Sequence, residues 1–244
     1  MLLTVENVSK SYSRGGNVKQ VLRGIELVVG EGEIVGLVGE SGSGKSTLSR
    51  VIMQLEPPDE GAISFNEFPV DRRSRKAFYK ECQLIFQNAS AALNPSWTVH
   101  EILMEPLRTM KGNRNAYIRH MLGKVKLTEE HLKMRPIELS GGERQRVNLL
   151  RSILVEPKLV VCDEIISNLD RLIQREIIEL LIALNQETGM AILFIAHDLQ
   201  AVTYMCDRVY VMKDGEIVDE SAKVESGFAF THPYSKKLFG AMLG

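Results

Sequence analysis

Residues 39–47 combine glycines, a lysine and hydroxyl side chains at a spacing suited to phosphate binding. They are Gly39, Glu40, Ser41, Gly42, Ser43, Gly44, Lys45, Ser46 and Thr47, which fit the pattern G-x-x-x-x-G-K-[ST]. The glycines allow the backbone to turn so that several N–H groups point at phosphate oxygens. We expect Lys45 to reach the β- and γ-phosphates of ATP and the Ser46 hydroxyl to bind Mg²⁺. A chance match is the alternative, and the apolar run before the loop and the helical pattern after it argue against one.

Two adjacent carboxylates, Asp163 and Glu164, follow the apolar run 159–162. We expect Asp163 to hold Mg²⁺ through a water molecule and Glu164 to polarise an attacking water. Taken alone, the pair could equally be two solvated acids at the end of a strand. Because the same chain carries a phosphate loop, the catalytic interpretation is favoured.

A second candidate anion site lies at residues 139–146, which read LSGGERQR. Ser140 and Glu143 have the spacing of a capping box, which predicts the start of a helix. Between them, Gly141 and Gly142 leave backbone N–H groups accessible at the positive end of that helix. The alternative is that the segment only begins a helix. Two phosphate-binding helix starts in one chain are explained if they face different nucleotides across a dimer.

Four short apolar runs predict the scaffold that positions these residues. They occupy 34–38, 84–86, 159–162 and 192–196. Near-continuous apolar runs of this length are typical of strands in a parallel sheet covered by helices on both faces. Since ligands bind at the carboxyl ends of such strands, we expect the polar residues that follow the runs to converge on one site. These are Gly39, Gln87, Asp163 and His197.

The remaining patterns predict what surrounds this core. An apolar stripe at helical spacing between Ile173 and Leu184 predicts a helix that covers the sheet. The first thirty residues alternate and carry glycine turns, which indicates an antiparallel strand layer. Residues 89–155 are rich in helix formers. We therefore predict one α/β nucleotide-binding domain over 1–244, with the core and β subdomain at 1–88 and 156–244 and an inserted helical subdomain at 89–155.

The composition is that of an ordinary globular chain, with 244 residues, 44% hydrophobic and 25% charged residues, and a net charge of −1. Without a basic excess, no nucleic acid partner is expected. The three cysteines are far apart, so neither a disulfide scaffold nor a zinc site is expected. We expect no signal peptide, and no apolar run approaches the roughly 18 residues that span a bilayer. Any link to a membrane is expected to pass through a partner.

In kind and order, these motifs resemble those of the ATPase subunits of ATP-binding-cassette (ABC) transporters, over essentially the whole chain. Residues 39–47 resemble the Walker A loop of that family, residues 159–164 its Walker B strand, and residues 139–145 its signature motif. The resemblance implies the ABC ATPase fold, which is a P-loop core with a mainly parallel sheet, an antiparallel β subdomain and an inserted α-helical subdomain. Several motifs in this order are specific, whereas any one of them alone is weak.

Single residues also match positions of that family. Gln87 stands at the Q-loop position, which implies contact with ATP and Mg²⁺, and Ser167, Asn168, Leu169 and Asp170 stand at the D-loop. His197 matches the switch histidine, although a lone histidine is more often a structural one. Tyr12 matches an aromatic residue that stacks on adenine, although alone it would be an ordinary half-exposed aromatic.

The resemblance also implies partners. Two ATPase subunits would hold two ATP molecules between them, and residues Ser140, Gly141, Gly142 and Glu143 of one would complete the site of the other. Glu164 would be the general base and His197 the γ-phosphate contact. The other partners implied are two transmembrane permease subunits, a second ATPase subunit (a paralogue or a copy of this chain) and, indirectly, an extracellular substrate-binding protein. The chain would then lie on the cytoplasmic face of the cell membrane.

Two segments resemble the peptide/nickel importers within that family, in particular their second ATPase subunit. They are ALNPSWTV at 92–99 and THPYSKKL at 231–238. The SNLD sequence at 167–170 is more similar to nickel and metal-chelate importers than to general peptide importers. We also expect Trp97 to lie near the groove where a permease docks.

We therefore expect the ATP-hydrolysing subunit of an importer for nickel or metal chelates, with an oligopeptide or dipeptide importer as the alternative. A non-transport ABC ATPase of DNA repair or translation is a more distant alternative. The long coiled-coil insertions, zinc modules or second cassettes of those relatives are not found in this sequence. A plain P-loop kinase is disfavoured by the motif at Ser140.

Overall fold

The computed structural model describes residues 1–86, 92–167 and 169–240, apart from the side chain of Arg14. The strands are β1 (Leu3–Arg14), β2 (Asn17–Val29), β3 (Ile34–Val38), β4 (Glu60–Phe65), β5 (Phe68–Pro69), β6 (Cys82–Ile85), β7 (Leu159–Asp163), β8 (Ala191–Ile195), β9 (Arg208–Lys213), β10 (Glu216–Val224) and β11 (Gly227–Phe228). The α-helices are α1 (Lys45–Ile52), α2 (Arg75–Glu81), α3 (Val99–Met104), α4 (Arg114–Lys124), α5 (Gly141–Ile153), α6 (Arg171–Thr188), α7 (Leu199–Met205) and α8 (Pro233–Gly240). Two 3₁₀ helices span Glu129–Lys133 and Pro136–Glu138.

A seven-stranded sheet forms the centre of the molecule, in the order β11-β10-β9-β3-β8-β7-β6. Strands β9, β3, β8, β7 and β6 pair in parallel, whereas β10 and β11 continue the sheet as antiparallel neighbours. The four predicted buried strands are confirmed as β3, β6, β7 and β8. The second of them begins two residues earlier than predicted and ends at Ile85, and Phe86 is exposed. Strands β9 to β11 were not predicted.

The parallel sheet buries side chains on both faces, as its apolar runs predicted. Because successive strand residues point to opposite faces, Val35 and Leu37 of β3 join one core with α1 and the N-terminal strands. Ile34 and Val38 of the same strand join a second core with α6 and the helices of the 99–153 region. Phe194 of β8 is fully buried, and burying one such ring stabilises the fold by about 2–3 kcal/mol.

Two of the surrounding patterns are confirmed. Strands β1 and β2 pair antiparallel in a four-stranded sheet of order β2-β1-β4-β5, to which β4 and β5 add strands that were not predicted. The apolar stripe of α6 is buried at Ile177, Leu180, Leu181 and Leu184. Ile173 is only half-buried because it lies in the first turn of that helix.

Residues 92–155, as far as the structure describes them, are built from α3, α4, α5 and the two 3₁₀ helices, without a strand. Their apolar side chains belong to the same core as α6 and one face of the parallel sheet. None of the helices in the described ranges is both long enough and apolar enough to cross a bilayer.

Candidate active site

The phosphate loop and the two carboxylates lie at one edge of the parallel sheet. Strand β8 lies between β3 and β7, and Ile195 pairs with both Leu37 and Asp163. Residues that follow these three strands therefore emerge side by side. The structure brings Gly39, Asp163, Glu164 and His197 to this edge. Gln87 and Asn168 lie outside the described residues.

Two glycines of the loop are required, one by a close contact with backbone and the other by its backbone conformation. A Cβ atom on Gly39 would lie 2.1 Å from the carbonyl oxygen of Met212, so only glycine fits there. Gly44, the residue before α1, has a φ of 111°, and a Cβ there would lie 2.8 Å from the Met212 side chain. The loop connects β3 directly to α1, whose first N–H groups have no partner within the helix and can donate to an anion.

Lys45 is held within the loop by backbone carbonyls. Its Nζ donates hydrogen bonds to the carbonyl oxygens of Gly39 at 2.8 Å and Glu40 at 2.9 Å. Burial lowers the pKa of the Lys45 ammonium, and the nearby carboxylates of Glu164 and Asp163 oppose that shift. The ammonium of Lys45 and the carboxylates of Asp163 and Glu164 therefore interact at this edge of the sheet. The positive group suits a phosphate chain, and the negative groups suit a metal ion.

Two hydroxyl groups of α1 form hydrogen bonds with the Asp163 carboxylate. The Ser46 hydroxyl lies 3.4 Å from Asp163 Oδ1, and the fully buried Ser49 hydroxyl donates to Oδ2 at 2.7 Å. Sequence reasoning did not identify Ser49. The available signal was its position four residues after Lys45, on the same face of the helix.

Glu164 adopts a backbone conformation that is uncommon for a residue with a side chain. Its φ is 50°, which costs of order 1–2 kcal/mol for a non-glycine residue. Its N–H donates to the Ile195 carbonyl at 2.9 Å, and the Ser167 hydroxyl donates to the Glu164 carbonyl at 3.0 Å. The turn after β7 is therefore fixed on both sides, and this sets the direction in which the carboxylate leaves the strand.

His197 is exposed and stands between β8 and α7. Asp198 caps α7, because its Oδ1 accepts hydrogen bonds from the N–H groups of Gln200 at 2.9 Å and Ala201 at 3.1 Å. The cap fixes the chain immediately after His197. His197 thus follows β8 at the edge of the sheet where Glu164 follows the neighbouring strand β7.

Tyr12 lies on β1 and is 37% exposed, so part of its ring is accessible to a flat ligand. Its hydroxyl is hydrogen-bonded to Glu56, whose other oxygen accepts from Arg50 Nε at 2.8 Å. Arg50 Nη2 in turn donates to the Thr47 hydroxyl at 3.3 Å. This chain of contacts joins the predicted adenine-stacking residue to the helix of the phosphate loop. The sequence analysis did not identify Arg50 or Glu56.

The segment from Ser140 to Glu143 begins α5 with the predicted capping box. The Ser140 N–H donates to Glu143 Oε2 at 2.8 Å, and the Glu143 N–H donates to the Ser140 hydroxyl at 3.3 Å. Gly142 is packed so closely that a Cβ would lie 2.9 Å from Ile173 of α6. Ser140 and Gly141 remain exposed, and Gly141 faces Leu169.

His131 was given no role by the sequence analysis and contacts this segment. Its Nε2 lies 3.3 Å from Glu143 Oε1, and its Nδ1 accepts from the Thr128 N–H at 3.1 Å. The hydrogen bond from the Ser140 N–H is the main cause that lowers the pKa of the Glu143 carboxyl below its ordinary value.

Ser167 and Asp170 lie shortly before α6. The Asp170 Oδ1 accepts from the Ile173 N–H at 3.0 Å, so Asp170 caps that helix. Gln174 Nε2 donates to the Ile166 carbonyl at 3.0 Å and holds the turn against α6. The turn therefore links Glu164 to the surface against which Gly142 packs.

Comparison with known proteins identifies the family. A family model described as ABC transporter matches residues 22–167. The chain is 42% identical to the nickel import ATP-binding protein NikE of Shigella dysenteriae, over 99% of this chain and 94% of that relative. It is 41% identical to the nickel import ATP-binding protein NikE of Pseudomonas putida, over 99% of this chain and 93% of that protein.

Solved structures give the same result for the fold. The dimeric post-hydrolysis structure of the ATP-binding cassette MJ0796, bound to ADP and Pi, superposes with a TM-score of 0.80 at 28% identity, covering 91% of this chain and 98% of that one. The structure of cbiO1 from Clostridium perfringens, part of the ABC transporter complex cbiONQ, gives a TM-score of 0.81 at 27% identity, with 99% and 91% covered.

Proposed function

This chain belongs to the ABC transporter family as an ATP-hydrolysing subunit coupled to transport, and we propose that its transport system imports nickel or another chelated metal. The observation that carries the proposal is the near full-length similarity to two nickel import ATP-binding proteins. An ATPase subunit supplies the energy for transport, and the solute passes through its partner subunits.

We assign ATP binding to the phosphate loop, residues Gly39 to Thr47, with Lys45 at the β- and γ-phosphates and Tyr12 at the adenine. Ser46 and Asp163 fit a Mg²⁺ site, because their oxygens lie 3.4 Å apart and hard oxygen ligands suit this ion. When bound there, Mg²⁺ would neutralise charge on the phosphates. Gln87 is proposed as a further ligand of ATP and Mg²⁺.

Glu164 is the proposed general base. It accepts a proton from the water that attacks the γ-phosphorus, as the bond to the ADP leaving oxygen breaks. The fixed turn at its backbone supports this role, since a base must be held in one direction relative to the phosphate. His197, which follows the neighbouring strand β8, is proposed to contact the γ-phosphate.

The signature residues Ser140, Gly141, Gly142 and Glu143 are proposed to complete the ATP site of a second ATPase subunit. Ser140 and Gly141 are exposed at the positive end of α5. A Cβ atom on Gly141 would lie 3.8 Å from Leu169, one of the D-loop residues. One solved relative of the same fold is described as dimeric. The second subunit is a paralogue or a copy of this chain.

Two transmembrane permease subunits are the proposed membrane partners, and an extracellular binding protein acts through them. A groove of about 350 Å³ beside Trp97 supports a docking surface on the helical region, which we take as the inserted subdomain of residues 89–155. Glu101, Glu105, Arg108 and Arg114 line this groove and give it charges of both signs, of which Glu101 also caps α3 and Glu105 pairs with Arg151. The chain would then lie at the cytoplasmic face of the membrane.

The substrate is tested by uptake in a strain that lacks this chain, with chelated nickel, cobalt, zinc and short peptides as separate substrates. Wild-type chain is expected to restore nickel uptake, whereas Glu164→Gln is not. If the wild-type chain restores the uptake of peptides but not of nickel, the system is a peptide importer and not a metal importer. Failure to restore the uptake of any solute would contradict a role in import.

The paired mechanism is tested with purified Glu164→Gln and its partner ATPase. ATP hydrolysis is expected to fall at least about 100-fold, because general-base catalysis contributes that much or more. An ATP-bound dimer should then accumulate and be seen by size-exclusion chromatography. Glu179→Gln, on α6 and paired with Arg175, is the matched control. A monomeric Glu164→Gln protein at saturating ATP would contradict the paired site.

A further inference from the structure

The C-terminal segment lies against the phosphate loop through one side chain, Tyr234. This residue is the second of α8 and is half-buried. Its hydroxyl accepts a hydrogen bond from the backbone N–H of Glu40 at 3.2 Å. None of the motifs that define the ATP site contains Tyr234.

The segment that carries Tyr234 is firmly attached to the sheet. Asp219 of β10 accepts hydrogen bonds from the N–H groups of Thr231 at 3.0 Å and His232 at 2.8 Å. The rings of Phe230 and Phe239 pack with their centroids 4.3 Å apart. Because the segment is already ordered, little further conformational entropy is lost when Tyr234 contacts the loop.

The Tyr234 side chain is also restrained from the side of β9. The Lys213 ammonium lies 5.1 Å from the centroid of the Tyr234 ring, within the range of a cation–π contact. Burial raises the pKa of the Tyr234 hydroxyl above its ordinary value, so the group stays a neutral phenol at pH 7. A neutral hydroxyl can accept from Glu40 without placing a negative charge beside the phosphate loop.

The peptide group between Gly39 and Glu40 connects Tyr234 to Lys45. Its N–H donates to Tyr234, and its carbonyl oxygen, on Gly39, accepts from Lys45 Nζ at 2.8 Å. Since a trans peptide is planar, its N–H and C=O point in opposite directions and turn together. A hydrogen bond on the N–H also polarises the carbonyl and strengthens it as an acceptor.

We propose that Tyr234 is a positioning residue for nucleotide binding, which acts through the Gly39–Glu40 peptide to hold the Lys45 ammonium in place. The proposal rests on the assignment of Lys45 to the ATP phosphates. It gives the C-terminal helix a part in the reaction, because a displacement of α8 loosens the peptide that holds Lys45.

The test compares ATP binding by the full-length wild type and Tyr234→Phe, which keeps the ring over Lys213 and removes only the hydroxyl. The ATP dissociation constant is expected to rise about two- to tenfold, as for the loss of one net hydrogen bond. With the partner ATPase present, KM should rise by the same factor while kcat stays within about twofold. The melting temperature reports any structural loss separately.

Tyr117→Phe is the matched control. Its hydroxyl donates to Glu156 at 3.0 Å on the helical region, so this variant also loses a hydrogen bond of a tyrosine hydroxyl, away from the phosphate loop. Its ATP dissociation constant should equal that of the wild type. An unchanged dissociation constant in Tyr234→Phe, or an equal rise in both variants, would overturn the proposal.

A double-mutant cycle with Lys45→Ala separates positioning of Lys45 from a general effect on the loop. In the Lys45→Ala background, Tyr234→Phe should change ATP affinity by less than about twofold, because the ammonium is absent. Ligand titration followed by NMR reaches the weak affinities involved. A full-sized effect in that background refutes action through Lys45. Failure of the wild type itself to bind ATP would instead refute the proposed function.

Discussion

Ser49 donates a hydrogen bond of 2.7 Å to Asp163, from a position one helical turn beyond Lys45. The same helix therefore supplies the cation for the phosphates and the group that orients the carboxylate proposed for Mg²⁺. Outer hydrogen bonds of this kind fix the orientation of metal ligands. Asp163 is thus held by hydrogen bonds from α1.

Replacing Ser49 with alanine should weaken Mg²⁺-dependent hydrolysis without abolishing it. A hydrogen bond to a charged group contributes about 1.5 kcal/mol, so kcat/KM is expected to fall about tenfold. The Mg²⁺ concentration that gives half of the maximal ATPase rate is expected to rise. Magnesium titrations of the ATPase rate measure both. Ser152→Ala is the control, because that hydroxyl donates to the Asn148 carbonyl at 3.1 Å within α5. Equal Mg²⁺ dependence in the two variants would contradict the assignment.

Tyr12→Ala should weaken ATP binding only by removing the ring that stacks on the adenine base. Stacking of a base on an aromatic ring contributes about 1–3 kcal/mol, which corresponds to roughly a five- to hundredfold rise in the dissociation constant. Inorganic triphosphate has no base, so its affinity should be the same in the variant and the wild type. Tyr12→Phe keeps the ring and loses the bond to Glu56, and it should have a smaller effect. An equal loss of affinity for ATP and for triphosphate would mean that Tyr12 supports the phosphate loop and does not bind the adenine.

Glu143 should make the stability of the start of α5 depend on pH. Its folded pKa is lowered from the ordinary 4.5, chiefly by the Ser140 N–H. The stabilisation is therefore fully present above about pH 4.5, and it is lost as the pH falls through the lowered folded value. Urea unfolding of the wild type and Glu143→Gln between pH 3 and pH 7 should show the smaller acid loss in the variant. Parallel pH curves would contradict this.

Trp97→Ala should uncouple hydrolysis from transport. Trp97 is half-buried beside the proposed docking groove and outside the phosphate loop, so ATP binding is expected to stay unchanged while solute uptake falls several-fold. Uptake and ATPase activity are compared in membrane vesicles that contain the complete transporter. Phe68→Ala is the control, because Phe68 is a large exposed side chain on the short strand β5. Full solute uptake with Trp97→Ala would show that the permease docks on another part of the chain.

The sequence by itself determined the features that depend on neighbouring residues. The glycines and Lys45 of the phosphate loop, the buried parallel strands, and the capping box of Ser140 and Glu143 each follow from a local pattern. Local sterics and hydrogen bonds within a few residues decide such features. The positions of Gly39, Asp163 and His197 after the strands also predicted that these residues meet, since parallel strands end at the same edge of the sheet, whereas Gln87 lies outside the described residues.

Only the tertiary structure decided which distant residues support the site. Ser49 lies 114 residues from Asp163, Tyr12 lies 44 from Glu56, and Tyr234 lies 194 from Glu40. No local pattern encodes such pairs, because they arise when separate elements pack and bring polar groups within hydrogen-bonding distance of each other. The sequence therefore specified the groups that perform the chemistry, and the packing of the chain selected the groups that hold them in position.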